Sequence, residues 1–144
     1  MDITSIIGGI PLFQGLPPKQ CAALAGIAQR KYYSKGQSFF AEGNEAEGFY
    51  VILSGRVKIF KLSPDGKEQI FHILEAPEPF GEAAVFAGKN YPASARALAE
   101  TPVLFFPSRK FVDLIRREPA LALSMLGLLS MRLRKLTTLV ENLS

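Results

Sequence analysis

Hydrophobic and polar positions divide the chain into three zones. Residues 1–30 predict short helices, because apolar residues recur at helical spacing after Pro17 and Pro18. Residues 31–107 predict strands, since short runs of Val, Ile, Phe, Tyr and Leu are separated by Gly, Pro, Asn and Asp. Residues 108–144 predict helices again. This order predicts a group of strands with helices on both sides of it in the chain.

The strand zone carries the turn signals of an antiparallel sheet. Its clearest strands are SFFAEG, GFYVILSG, RVKIFKLS, KEQIFHILE and PVLFFP. Residues 63–67 predict a hairpin turn, because Pro64 sets φ and Gly66 supplies a positive φ. In RVKIFKL, the alternation of Val57 and Ile59 with basic residues indicates a sheet with one wet face. Many short strands at regular turn spacing predict a sandwich or a barrel.

The last predicted helix carries an apolar seam with the spacing of a coiled coil. The seam residues lie alternately four and three positions apart and are Ala122, Leu126, Leu129, Leu133, Leu136, Val140 and Leu143. A second apolar stripe lies beside the seam and consists of Leu121, Met125, Leu128 and Leu139. One stripe would suit a helix packed on its own domain, whereas two favour one stripe on the barrel and the other on a partner helix. The helix reaches Ser144 without a Gly or Pro stop signal, so we expect more protein after it.

Composition excludes several classes of protein. With 144 residues, 48% hydrophobic and 21% charged, the chain is expected to form one globular domain, and disorder is excluded. One cysteine, Cys21, and one histidine, His72, exclude a disulfide scaffold, a Cys/His zinc site and a four-thiolate cluster. The sequence contains no window of about 18 or more uncharged apolar residues, so no segment is expected to span a membrane. The N-terminus has no basic region typical of a secretion signal, so we expect a cytoplasmic protein.

The strongest candidate for ligand chemistry is FGEAAVF, residues 80–86. Gly81 can adopt an unusual φ and bring the backbone close to a ligand. Small side chains at Ala83 and Ala84 leave amide N–H groups uncovered, and a helical turn there would point them at an anion. Ala93-Ser94-Ala95 follows after a loop. Together these segments predict a phosphate or carboxylate cradle, although a purely structural role as packed turns in a β core is equally consistent with them.

These residues resemble a known family. GQSFFAEGNEAEGFYVILSGRVKIFK (36–61), then FGEAAVF, a small-residue run and a long helix resemble the cyclic nucleotide-binding domain. More narrowly, they resemble the effector domain of Crp/Fnr-type bacterial transcription factors. The most specific element is the spacing of four glycines, interpreted as turn and bulge positions that a Cβ would block: Gly36, Gly43, Gly48 and Gly55.

The resemblance implies a mainly β fold with flanking helices. The fold would be a double-stranded β-helix, a jelly-roll-like β-roll, with N-terminal helices and a long C-terminal dimerisation helix. One domain would cover residues 1–144, with helices at 1–30, the β-roll at 31–107 and helices at 108–144. A small effector would bind in the roll of a homodimer and switch DNA binding by a helix-turn-helix domain that lies outside this sequence.

The resemblance also implies which residues contact the effector. Glu82 would accept a ribose hydroxyl, and the amides of Ala83 and Ala84 would meet a phosphate. The complete set of implied ligand-binding residues is Phe80, Gly81, Glu82, Ala83, Ala84, Ala93, Ser94 and Thr137. Dimerisation is implied for Leu126, Leu129, Leu133, Leu136, Val140 and Leu143.

Departures from the family pattern argue against cyclic AMP. Nucleotide-binding members place an arginine just before the small-residue run, where this chain has Tyr91 and Pro92. Arg96 follows later and shares a strand face with Ser94, opposite to Ala95. A second hydroxyl expected on the last helix is also missing. Because each lost charge-assisted hydrogen bond costs about 1.5–3 kcal/mol, we expect weak or no binding of cyclic AMP.

Three alternatives remain for the function of the domain, two with an effector and one without. A small anionic compound such as a cyclic nucleotide is favoured over haem. Haem or nitric-oxide sensing, as in related subgroups, would require His72, which alternation places on the face of Ile70 and Leu74, and a lone strand histidine is more often packed or solvated. The third alternative is a dimerisation module with a vestigial pocket. An enzyme is not expected, because every nucleophile in the chain would have to share His72.

Overall fold

The computed structural model describes residues 2–143, which form two compact units. The helical unit combines the two ends of the chain, up to Gly26 and from Phe111 onward. The roll unit is Ile27–Lys110. The helices are α1 (Ile3–Gly8), α2 (Pro18–Ile27), α3 (Glu82–Ala87), α4 (Ser108–Arg117) and α5 (Pro119–Leu143).

The roll unit consists of two four-stranded antiparallel sheets. One has the order β1-β8-β3-β6 and the other β2-β7-β4-β5. The strands are β1 (Gln29–Tyr33), β2 (Ser38–Phe40), β3 (Gly48–Ile52), β4 (Arg56–Leu62), β5 (Glu68–Glu75), β6 (Pro79–Phe80), β7 (Ser94–Ala97) and β8 (Thr101–Pro107). The expected mainly β roll with flanking helices is confirmed, as are the five strands and the hairpin turn at Gly66, whose φ is +84°. The first strand starts at Gln29, slightly earlier than expected.

Aromatic side chains fill the core of the roll unit. Every residue of β3 is buried, and the strand lies between β8 and β6 in its sheet. Tyr50 stacks on Phe80 with ring centroids 4.9 Å apart and ring planes 7° apart, and it also contacts Phe105 at 4.9 Å. Phe39 meets Tyr50 edge to face at 5.3 Å. Burying each such side chain contributes about 1.5–3 kcal/mol.

The glycine pattern is explained at two of its four positions by close packing. A Cβ on Gly48 would lie 2.4 Å from Phe105 and 2.5 Å from the Phe106 carbonyl oxygen. A Cβ on Gly55 would lie 2.4 Å from the Glu100 carbonyl oxygen. Gly36 and Gly43 are also turn positions, as expected, and there a Cβ is disfavoured by the positive φ of +87° rather than by a neighbouring atom.

A bulge in β5 corrects the expected alternation around the single histidine. His72 lies opposite Ile59 in the strand register, but the next pair is Ile70 with Phe60. No residue of β4 therefore lies directly opposite Phe71 in the register. Because residues directly opposite each other share a face, His72 and Ile70 lie on opposite faces. The expectation that they share one face is therefore wrong.

In the helical unit, α5 presents its two stripes differently. Leu121 and Met125 of the second stripe are buried, and a Cβ added at Gly15 would lie 3.1 Å from Leu128, whereas Leu139 of the same stripe is exposed. Cys21 is buried, as expected for a small core residue. The larger seam residues are exposed in the single chain, and they are Leu126, Leu129, Leu133, Leu136, Val140 and Leu143. Within residues 2–143 no helix is long and apolar enough to cross a membrane.

Candidate functional site

The segment after β6 has the local geometry expected from its glycine. Gly81 has φ +80° in the left-handed region and forms the N-cap of α3. The helix ends after Ala87 at Gly88, which has φ +66°. We call residues 80–84 together with Ala93 and Ser94 the cassette. The expected short helical turn is confirmed, with Phe80 and Ala84 buried beneath it.

Glu82 is the one charged side chain of the cassette. Its carboxylate accepts a hydrogen bond from its own backbone N–H, and Oε2 is buried without a hydrogen-bond partner among the described residues. Burial raises the pKa of Glu82 above its usual value. A buried acceptor without a donor is costly, so a bound molecule that offers an O–H or N–H to Oε2 would be stabilised there.

Tyr91 ties the loop before β7 to β3. The N–H of Gly48 donates to the Tyr91 hydroxyl oxygen at 3.2 Å, and the Tyr91 hydroxyl donates to the Gly48 carbonyl. These groups need a partner, because β6 pairs with Tyr50 and Val51 and ends before it reaches Gly48. The Tyr91 ring stacks on Phe40 with centroids 3.7 Å apart, and a Cβ added at Gly81 would lie 3.2 Å from it. Tyr91 therefore occupies the space between β3 and the cassette.

The loop that follows β2 is also fastened to the segment before β7. The Tyr91 N–H donates to the Asn44 carbonyl at 2.9 Å, and the Gly43 N–H donates to the Tyr91 carbonyl at 2.9 Å. The Ser94 hydroxyl accepts from the Glu42 N–H at 2.8 Å. The Ser94 hydroxyl therefore already serves the protein's own loop.

Arg96 does not supply the missing arginine. On β7, Ala95 and Ala97 are buried, whereas Arg96 lies on the other face, as expected. Its guanidinium is 2.8 Å from Glu68 and 4.8 Å from the centroid of Phe60. Lys58 lies 2.6 Å from the same carboxylate and, with Arg96, holds the pKa of Glu68 below its usual value. Arg96 is thus committed to the outer face of the sheet.

A cavity of about 360 Å³ opens next to the cassette. Four aromatic rings, two carboxylates and one amide line this cavity, which we call the aromatic cavity: Phe39, Phe40, Tyr50, Tyr91, Glu45, Glu47 and Asn44. Tyr91 belongs to its lining, but residues 80–84 do not. The space that the structure leaves here is therefore aromatic and acidic.

Comparison with known proteins decides the family. Residues 30–118, more than half of the chain, match the sequence profile of the cyclic nucleotide-binding domain. The chain belongs to this family. The expected Crp/Fnr-type resemblance is confirmed as well, because the chain is 31% identical over 130 residues to the CRP-like cAMP-activated global transcriptional regulator of Mycobacterium tuberculosis, covering 90% of this chain and 58% of that protein.

Three relatives illustrate how far the similarity of this cyclic nucleotide-binding domain extends. It is 33% identical over 127 residues to the cyclic AMP receptor protein of Thermus thermophilus, covering 88% of this chain and 59% of that protein. It matches a structure from Ruegeria pomeroyi, described there as a cyclic nucleotide binding protein, with a TM-score of 0.88, 31% identity, and coverage of 99% and 63%. It matches the sensor domain of the transcriptional regulator DNR from Pseudomonas aeruginosa with a TM-score of 0.74, 29% identity, and coverage of 96% and 95%. The chain spans less than two thirds of the first two proteins.

Two other predicted site residues of the cyclic nucleotide-binding domain lie on elements other than the cassette. Thr137 lies in the helical unit on α5, where its hydroxyl donates to the Leu133 carbonyl at 2.9 Å. His72 is exposed on β5. Among residues 2–143, no group of three His, Cys, Asp or Glu side chains is placed to hold a metal ion. The ligand roles of Thr137 and His72 stay predictions.

Sequence reasoning missed the part played by Tyr91 and Phe40. It treated Tyr91 only as a departure from the family pattern, although the tyrosine links β3, the loop after β2 and the cassette. The available signal was an aromatic residue directly before Pro92 and the small-residue run, in a chain whose β2 ends in two phenylalanines. An aromatic side chain at that position needs a packing partner, and Phe40 provides one.

Proposed function

We propose that this chain is the effector-sensing, dimerising domain of a Crp/Fnr-type transcription regulator. A small molecule bound at the cassette changes the α5 pair, and this change controls DNA binding by a helix-turn-helix domain outside the sequence. The single domain spans residues 1–144, acts in the cytoplasm and is a receptor, not an enzyme. The observation that carries the proposal is the buried Oε2 of Glu82, which has no hydrogen-bond partner among the described residues and follows Gly81 with its left-handed backbone.

The chemistry of the cassette supports a ligand that donates a hydrogen bond. Glu82 offers a buried acceptor, which a hydroxyl group of the effector would satisfy. The proposed contacts are those implied by the resemblance: Phe80, Gly81, Glu82, Ala83, Ala84, Ala93, Ser94 and Thr137. Of these, the Ala83 side chain is exposed and leaves its backbone approachable.

Cyclic AMP itself is a poor fit for this cassette. The Glu82 carboxylate already accepts a hydrogen bond from its own backbone amide at the start of α3, and it places negative charge there. Arg96 is paired with Glu68, and Tyr91 fills the space next to Gly81. A cyclic phosphate would therefore meet a carboxylate without a compensating arginine. We propose weak or no binding of cyclic AMP.

The exposed seam of α5 supports a homodimer. The seam residues from Leu126 to Leu143 project large apolar side chains into solvent in the single chain, and their spacing is that of a two-stranded coiled coil. The second stripe is partly buried at Leu121 and Met125. Burial of the first part of the second stripe within the protomer leaves the seam for a second copy of the chain.

A ligand screen by thermal unfolding tests the proposal. A molecule present at 100 times its Kd should add about 2.7 kcal/mol to the free energy of unfolding. The screen should include cyclic AMP, cyclic GMP, haemin and small hydroxylated acids, with the Glu82→Ala variant as the control for binding at the cassette. A stabilising molecule whose effect is lost in Glu82→Ala supports the proposal, and no stabilisation by any class contradicts the sensor role.

A second candidate is a dimerisation module with a vestigial pocket. Tyr91 favours this alternative, because it fills the space beside Gly81 and satisfies the Gly48 backbone without a ligand. In that case the screen shows no stabilisation while the protein remains dimeric. Nothing in the placement of His72 favours haem sensing over these two functions.

A further inference from the structure

We propose that the aromatic cavity binds a small organic cation of the alkylammonium type, held between its aromatic floor and its acidic rim. This site is separate from the ligand contacts proposed at the cassette, because residues 80–84 do not line the cavity. Its volume of about 360 Å³ lies within the range of small-molecule sites in proteins. The inference therefore does not depend on the proposed sensor function.

The floor of the cavity presents aromatic rings that are held in place. Phe40 and Tyr91 stack at 3.7 Å, and Tyr50 is fixed by its stacking on Phe80 at 4.9 Å. Burial raises the pKa of both Tyr50 and Tyr91, so their phenol groups stay neutral at physiological pH. A cation placed within about 6 Å of the face of an aromatic ring is attracted by the quadrupole of that ring.

The rim of the cavity adds negative charge. Glu45 and Glu47 are exposed, and among the described residues no ion pair of a lysine or arginine with either carboxylate is found. After burial, the negative charge of Glu47 also contributes to the raised pKa of both Tyr50 and Tyr91. The lining contains no lysine or arginine, so an anion would be repelled and a cation attracted.

Choline and its neutral isostere 3,3-dimethylbutanol separate this inference from simple apolar binding. Both probes have the same shape, but only choline carries the charge that the rings and carboxylates would recognise. Titration into the full chain, followed by isothermal calorimetry or by tyrosine resonances, should give a choline affinity about 10-fold or more above that of the alcohol. Equal affinity for the two probes, or no choline binding at 10 mM as a rough practical limit, would overturn the inference.

Two charge-neutralising variants locate the site. Glu47→Gln should weaken choline binding about 5-fold or more while leaving the alcohol unchanged, because the variant removes charge but not shape. Glu75→Gln removes the same charge from an exposed position outside the cavity and should leave choline binding within about 2-fold. Equal losses in both variants would show a diffuse charge effect and contradict the site.

The outcome is distinguishable from that of the proposed function. A dimeric protein that is stabilised through Glu82 but ignores choline would retain the sensor role and overturn this inference. Choline binding in a protein that no cassette ligand stabilises would give the opposite result. Phe40→Leu, a second variant, should reduce choline binding because it removes a ring face, provided that circular dichroism shows a folded protein.

Discussion

The Tyr91 hydroxyl is hydrogen-bonded to both the N–H and the carbonyl of Gly48, a residue 43 positions earlier in the chain. These two backbone groups lie just past the end of β6, so no strand is available to satisfy them. The Tyr91 side chain thus makes the hydrogen bonds to Gly48 that a neighbouring strand would otherwise make. The same ring lies against Gly81 and places the aromatic cavity and the cassette side by side.

Removal of this hydroxyl should weaken the fold. Tyr91→Phe leaves both Gly48 groups buried without their partner, which we expect to lower the free energy of unfolding by about 1–3 kcal/mol. Urea denaturation measures the change. Tyr32→Phe is the matched control, because it removes a hydroxyl whose hydrogen bond to Glu100 lies in solvent, and its midpoint should change much less than that of Tyr91→Phe. Equal loss in both variants would contradict the role given to Tyr91.

An arginine introduced before the small-residue run should improve the binding of cyclic AMP. Pro92 is exposed, so Pro92→Arg is expected to fold and to place a guanidinium next to the cassette. One charge-assisted hydrogen bond of about 1.5–3 kcal/mol corresponds to an affinity gain of about 10- to 100-fold. Calorimetry against Pro92→Ala measures it. Equal affinities of the two variants would indicate that Tyr91, and not the lost arginine, prevents binding.

Glu82 should make the stability of the protein depend on pH. Because burial raises its pKa above the unfolded value of 4.5, the folded state holds the proton more tightly than the unfolded chain does. The resulting stabilisation is present below the unfolded pKa and is lost as the pH rises through the folded pKa. Glu82→Gln should therefore gain stability over wild type between about pH 4.5 and neutrality. Urea midpoints across this range measure the gain.

The matched control for the titration is Glu75→Gln, which removes an exposed carboxyl group of the same unit. The difference measured for Glu82→Gln at each pH is compared with the difference measured for Glu75→Gln at the same pH. A Glu82→Gln difference that stays constant from pH 4 to pH 7, in steps of about one unit, would contradict the assignment.

A charge placed in the seam of α5 should separate the proposed dimer. Leu133→Arg puts like charges opposite each other in the middle of the seam, so sedimentation should show a monomer with an unchanged circular dichroism spectrum. Thr138→Arg is the matched control, because Thr138 is exposed on the same helix outside the seam. A wild-type chain that sediments as a monomer at high concentration would remove the basis for the dimer.

Local chemistry predicted much of the fold and part of the site. The left-handed Gly81 and the short helix after it follow from glycine next to small residues, and the turn at Gly66 follows from Pro-Asp-Gly. The bulge that leaves Phe71 unpaired could not be foreseen, because it depends on how β4 and β5 are aligned. The same is true of Tyr91 and Gly48, whose contact depends on where β6 ends.

The ion pair of Arg96 also shows what strand alternation can and cannot predict. Alternation along β7 correctly separated Arg96 from Ala95, because side chains on a strand point to opposite faces in turn. It could not name Glu68 as the partner of Arg96, since that carboxylate is 28 positions away and comes into reach only through the pairing of β4 with β5 and β7.

The two ends of α5 differ in how far their apolar side chains are buried in the single chain. Leu121 and Met125 are buried within the protomer itself, whereas the six large seam side chains from Leu126 to Leu143 are exposed, as are Met131 and Leu139. If a second copy covers them, dilution alone should lower the apparent Tm, as mass action requires. Heating curves recorded at one protein concentration would then report the stability of the dimer. The stability of the single chain would have to be measured on a variant that does not dimerise.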